Sequence, residues 1–119
     1  MKTFQEIDEE IAKGSMIFFA VEKNDVLATC MTKQISEDTW EICKLATDER
    51  HQGKGAGSRI FEKCMEYAAA HNAKRLFILS SSTLKPALHI YQKYGFREIK
   101  LDDYTYVRGD IAFEYTVNS

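Results

Sequence analysis

The feature that most constrains this chain is a cluster of glycines between two regular segments, Gln52-Gly53-Lys54-Gly55-Ala56-Gly57-Ser58. An apolar run with strand character precedes it at residues 42–47. Apolar residues at helical spacing follow it at Ile60, Phe61, Cys64, Met65 and Ala68. Glycine accepts a positive φ and lets another group approach the backbone with no Cβ in the way. A helix that starts here leaves its first amides unpaired, aimed back into the turn at the positive end of the helix dipole. Such a corner is either a plain strand-to-helix turn or a phosphate site. Two phosphate loops are excluded by spacing. The run of four residues between glycines followed by Gly-Lys-Ser/Thr is absent, and G-x-G-x-x-G is not met.

Length and composition bound what surrounds this turn. The 119 residues, 45% hydrophobic, suffice for one domain, 1–119, with a real core. Sixteen basic and 18 acidic residues leave a net charge of −2 and no basic block, which argues against nucleic acid as a partner. No apolar run is long enough to span a bilayer. The N-terminus, with Lys2, Glu6, Asp8, Glu9 and Glu10, has no signal-peptide pattern, so a cytoplasmic protein is expected. Cys30, Cys43 and Cys64 are an odd number without metal-ligand spacing, each among apolar neighbours, and read as reduced core thiols.

Taken in order, Phe4, Ile7 and Ile11 are spaced for one face of a short helix that Gly14-Ser15 would end. Residues 16–22 and 26–33 read as a hairpin about Asn24-Asp25, and 39–47 as a third strand after a turn at 36–38. The glycine turn and a helix to about His71 follow. Residues 75–80, Arg-Leu-Phe-Ile-Leu-Ser, have the continuous apolar centre of a buried strand. Strand, helix, strand implies a right-handed crossover, which makes this strand parallel to the third. A second helix, capped by Thr83 with Pro86 in its first turn, stops at Gly95. Strands at 96–101 and 111–117 complete an α/β chain, a mixed and mostly antiparallel sheet flanked by helices. The last strand is apolar and is expected at an open edge.

The spacing Gln/Arg-x-x-Gly-x-Gly/Ala is filled by Gln52, Gly55 and Gly57, and again by Arg50, Gly53 and Gly55. It resembles the acetyl-CoA pyrophosphate loop of the GNAT superfamily of N-acetyltransferases. Ile90-Tyr91-Gln92-Lys93-Tyr94-Gly95-Phe96 resembles that family's later helix-to-strand signature, so the likeness runs from about Met16 to the C-terminus. The resemblance implies the family's fold, in which two parallel strands splay apart and admit the thioester arm of acetyl-CoA. It implies Gln52, Gly53, Lys54, Gly55, Ala56, Gly57 and Ser58 at the pyrophosphate, and Leu45, Ala46 and Thr47 on the pantetheine arm. Acetyl-CoA would be the co-substrate, with no metal.

The resemblance also names two residues for chemistry. Tyr91 occupies the place of the family's frequent general acid, though Ile90, Tyr91 and Tyr94 near one helical face would equally suit a core aromatic. Glu41, eleven residues before Gln52, matches the glutamate that serves as base in the histone-acetyltransferase branch. Its other reading is a solvent-facing strand residue. Alternation places Glu41, Cys43 and Leu45 on one face and Trp40, Ile42 and Lys44 on the other. Lys54 and Arg59 could add charge near the phosphates, and His51 reads as a solvated side chain over the cofactor's edge, with a base as its other reading. Two functions are compatible with these residues. One is acetyl transfer from acetyl-CoA to a primary amine of a small molecule or protein. The other is a non-catalytic acyl-CoA-binding or regulatory module. The family usually has a first strand and two helices before the hairpin, which help to form the acceptor pocket. With about one helix here, that pocket is expected to be reduced or completed by a second copy in a homodimer.

Overall fold

The computed structural model describes residues 4–48, 55–100 and 110–117. In chain order these form β1 (Gln5–Ala12), β2 (Ser15–Glu22), β3 (Asp25–Gln34), β4 (Thr39–Thr47), α1 (Ala56–Ala70), β5 (Arg75–Ser80), α2 (Lys85–Lys93), β6 (Arg97–Ile99) and β7 (Ile111–Thr116). The strands make one mixed sheet in the order β1-β2-β3-β4-β5-β7-β6. Every neighbouring pair is antiparallel except β4 and β5.

The first segment is a strand, not the helix that its spacing suggested. Ile7 and Ile11 stay 42% and 56% exposed, so their four-residue spacing marks no buried face. The free edge of β2 offers a ladder of backbone partners, and β1 takes it from Gln5↔Val21 to Ala12↔Ser15. Glu6 fixes the strand to the body of the protein through ion pairs with Arg59 (2.8 Å) and Lys63 (3.4 Å) of α1. Gly14, read as a helix stop, serves instead as the hairpin turn, with φ 82°. The β2–β3 hairpin turns at Lys23 and Asn24, both at positive φ, as a two-residue loop requires.

Both helices lie on one face of the sheet, as two right-handed crossovers in the same direction dictate. Trp40 of β4 packs against Tyr67 and His71 of α1, and Phe61 of α1 meets Tyr91 and Tyr94 of α2. The core is this layer, built on Phe18, Leu27, Trp40, Ile42, Ile60, Phe61, Leu76, Ile78 and Phe113. Cys30 and Cys64 are buried in it as free thiols. Among the described residues, no helix covers the opposite face. Ile17, Phe19, Met31, Phe77 and Leu79 stand there half-buried.

Two details differ from expectation. The last strand is interior, between β5 and β6, so the sheet's edges are β1 and β6. The strand is apolar because both its sides are paired. Thr83 does not cap α2. Its hydroxyl pairs with that of Ser81 (2.8 Å), and the helix starts after Leu84, with Pro86 in the first turn.

Candidate active site

The site is set by where two strands stop pairing. β4 and β5 run parallel over three rungs, Thr39↔Arg75, Trp40↔Leu76 and Glu41↔Phe77. Beyond Glu41, β4 continues to Thr47 and β5 to Ser80 without meeting. The closed end is clamped by the Asp38 carbonyl, which accepts from the amides of Lys74 (2.8 Å) and Arg75 (3.1 Å). Local sequence opens the other end. Opposite Cys30, β4 carries the two residues Lys44 and Leu45, a bulge with Lys44 at φ 57°. The bulge bends β4 away from β5 and ends the simple alternation that assigned Leu45 to the face of Glu41 and Cys43. The Cys30 thiol donates to the Cys43 carbonyl beside it (3.6 Å).

At the open end, the three ligand-arm candidates Leu45, Ala46 and Thr47 lie on β4 past its last rung with β5. Helix α1 then starts at Ala56, with Gly55 as its N-cap at φ 77°. Among the described residues no side chain caps this helix, and its first turn holds no acidic residue. Its leading amides therefore keep their donors and the full positive dipole end. Gly55 and Gly57 do different work. A Cβ on Gly55 would meet no atom of the described residues within 4 Å, so the requirement there is the left-handed φ. A Cβ on Gly57 would lie 2.5 Å from Thr47 Cγ2 and 3.5 Å from Ile90 Cδ1. Gly57 lets the start of α1, the end of β4 and α2 converge. Ala56 is buried beside it, and Ser58 accepts from Lys93 Nζ (3.2 Å) at its hydroxyl and from Tyr94 Oη (3.2 Å) at its carbonyl. Gln52, Gly53, Lys54 and His51 lie outside the described residues. Arg59 is bound to Glu6, Glu62 and Glu66 rather than turned to the glycine loop.

Glu41 and Tyr91 flank the gap from opposite faces. Trp40 points to the helices, so Glu41, next along β4, points to the uncovered face. Its side chain is 4% exposed and lies 3.7 Å from Lys33 Nζ, its cross-strand partner on β3. Burial, and then the Glu41 charge, push the neighbouring Cys43 thiol up to about 11, which makes it a poor nucleophile. Tyr91 sits in the helical layer, its ring against Phe61 and Phe113. Burial pushes its phenol up to about 12, against a smaller opposing effect of a hydrogen bond with Ser80 at the end of β5. Both readings of Tyr91 thus hold in part: the ring is core, and the hydroxyl reaches the strand that borders the gap. Sequence reasoning missed Ser80 and Lys33. The register of the β3–β4 hairpin, set by the turn at 35–38, is the signal that pairs Lys33 with Glu41.

Comparison with known proteins agrees with this geometry. The acetyltransferase (GNAT) family profile matches residues 1–96, so it includes β1 and stops short of β6 and β7. Human N-acetylaspartate synthetase is 30% identical over 98 residues, which are 81% of this chain and 32% of that protein. The chain thus spans about a third of the length of this curated relative. Among solved structures, a GNAT family acetyltransferase from Elizabethkingia anophelis with acetyl-CoA bound superposes with a TM-score of 0.79 at 16% identity, over 98% of this chain and 100% of that one. An IAA acetyltransferase from Bacillus cereus superposes with a TM-score of 0.77 at 19% identity, over 95% and 100%. At these identities the two structures speak for the fold, and the profile match speaks for descent: the chain belongs to the acetyltransferase (GNAT) family.

Proposed function

We propose that this chain transfers an acetyl group from acetyl-CoA to a primary amine of a small molecule or protein. The observation that carries this reading is the three-rung parallel pair, opening into a gap with a carboxylate on one face and a phenol on the other. An uncapped helix N-terminus at the same end suits the pyrophosphate. The thioester is already activated, so the protein's work is to position the amine and manage protons. An alkyl amine with a pKa of about 10.4 is neutral in only roughly 1 part in 2,500 at pH 7, a cost of about 4.6 kcal/mol. Glu41, directly or through water, takes the proton as the amine nitrogen bonds to the acetyl carbon. The tetrahedral intermediate then expels CoA as a thiolate. Full proton transfer to it from a phenol near 12 is uphill by roughly 5 kcal/mol against a thiol near 8.5. Tyr91 therefore donates a hydrogen bond to the departing sulfur and keeps its proton.

The test is acetyl-CoA with a panel of amines, read by mass spectrometry and thiol release. Acetylated product is expected. Acetyl-CoA binding with no product from any amine would establish the non-catalytic alternative. Glu41→Gln should lose more rate at neutral than at alkaline pH, where the amine is already neutral. Equal loss at both would leave Glu41 a binding residue.

A further inference from the structure

The uncovered face of the sheet carries one row of charge at the level of the gap. Cross-strand neighbours run Ser15, Lys33, Glu41, Phe77, Glu114, Arg97 from β2 to β6. Within this row the acids lie deep and the bases lie outside. The side chains of Glu41 and Glu114 are 4% and 17% exposed, and those of Lys33 and Arg97 are 39% and 76% exposed. Arg75, at 42%, lies over Phe77 and binds Glu114 together with Arg97. Glu114 is thus neutralised by two guanidiniums, while Lys33 holds Glu41 at a loose 3.7 Å. Among the described strand residues, the exposed acid of the same face, Glu9, stands three strands from β4. Among the described residues, a chain of net charge −2 thus presents cations beside Glu41 on this face.

We infer that the acceptor is a zwitterion, an amine whose neighbouring carbon carries a carboxylate, and that Lys33 is the residue that selects it. This rests on the transfer reading above. With the pyrophosphate at the start of α1, on the helix side, the amine would reach the acetyl carbon from the opposite face. There it meets Lys33 and Glu41 as a dipole, cation beside anion. In an α-amino acid the carboxylate carbon lies about 2.5 Å from the amine nitrogen, two bonds away. Laid antiparallel on the protein pair, the ammonium comes to Glu41 and the carboxylate to Lys33. A diamine or a protein lysine side chain offers Lys33 only a second cation or nothing. The exposed lysine loses little by moving from a loose pair to one shared with the acceptor.

The experiment compares glycine, alanine and aspartate with the amides of their α-carboxylates, and with putrescine, at matched concentrations of neutral amine. Thiol release from acetyl-CoA gives kcat and KM. We expect kcat/KM at least 10-fold higher for the acids than for their amides, with the difference in KM. Lys33→Gln should bring that ratio close to 1, Lys33→Arg should keep most of it, and Lys33→Glu should turn the preference toward putrescine. A parent ratio near 1, a ratio unmoved by Lys33→Gln, or acetylation of putrescine or the amides alone overturns the inference and leaves acetyl transfer standing. Acetyl-CoA binding with no acetylation of any member overturns both.

Discussion

The two faces of the sheet solve different problems with the same strands. On the helical face, Trp40, Ile42, Leu76 and Ile78 alternate inward against α1 and α2, and each is at most 3% exposed. On the other face, Lys33 of β3, Glu41 of β4, Arg75 and Phe77 of β5 and Glu114 of β7 stand side by side, and their ordering is electrostatic. Burial of apolar area is the main stabilising term in a domain of this size, so the helical face holds the protein together. Among the described residues, the other face contributes less of that kind, from half-buried Ile17, Phe19, Met31, Phe77 and Leu79, and its charged row is available for recognition. The gap is where the faces communicate, because there the sheet is no longer a closed wall.

The sharpest way to break this comparison is to remove an aromatic ring from each face. Phe61, fully buried against Tyr91, Tyr94 and Phe96, should cost about 3–5 kcal/mol as Phe61→Ala. Half-buried Phe77, under Arg75, should cost about 1 kcal/mol as Phe77→Ala. Urea unfolding checks both, and equal losses would mean that the uncovered face is structural too. A smaller effect is expected at high pH. Tyr91 is held near 12 when folded and near 10 when unfolded, so the unfolded chain binds fewer protons between those values. Its contribution is complete below pH 10 and is lost as pH rises toward 12, by roughly 3 kcal/mol. Cys43, at about 11 when folded, starts the same decline near pH 9. Tyr91→Phe should flatten the part of the stability profile above pH 10 and lower turnover by roughly 10- to 1,000-fold. An unchanged profile would place the hydroxyl in solvent.

Smaller again is the contrast between the two described glycines of the loop. Gly57→Ala should destabilise by about 1–3 kcal/mol, since the new methyl must displace Thr47 Cγ2. Thr47→Ala in the same chain should recover much of that, a coupling that a double-mutant cycle reads directly. Gly55→Ala should cost only about 1 kcal/mol, from its left-handed φ. Its larger consequence should be weaker CoA binding by calorimetry. If CoA affinity falls only with Gly57→Ala, the roles of the two glycines are reversed.

Much of the fold was legible because its signals are local. The alternating strands, the crossover of β4, α1 and β5, and Gly95 at the end of α2 follow from spacing and turn residues. The errors share one cause, which is that pairing is decided at a distance. Phe4, Ile7 and Ile11 carry a helical spacing, and only the vacant edge of β2 makes Ile7 and Ile11 part of a strand. The last strand reads the same at an edge or inside a sheet, and its place between β5 and β6 is set by the crossover. In the site, Glu41 and Tyr91 were found through resemblance. Whether they share a face depends on register and packing, which a motif does not contain. Lys33 was missed because a lysine in a strand is ordinary until its partner across the ladder is known.

The three rungs between β4 and β5 have a mechanical consequence. They divide the sheet into two plates, β1 to β4 and β5 to β7, joined along a short seam that is locked at Asp38 and open toward Thr47. A body inserted at the open end acts as a wedge with the longest lever arm, while the locked end acts as the fulcrum. Glu41 stands at the last stitch of that seam, so any prising of the plates is felt first at its rung with Phe77.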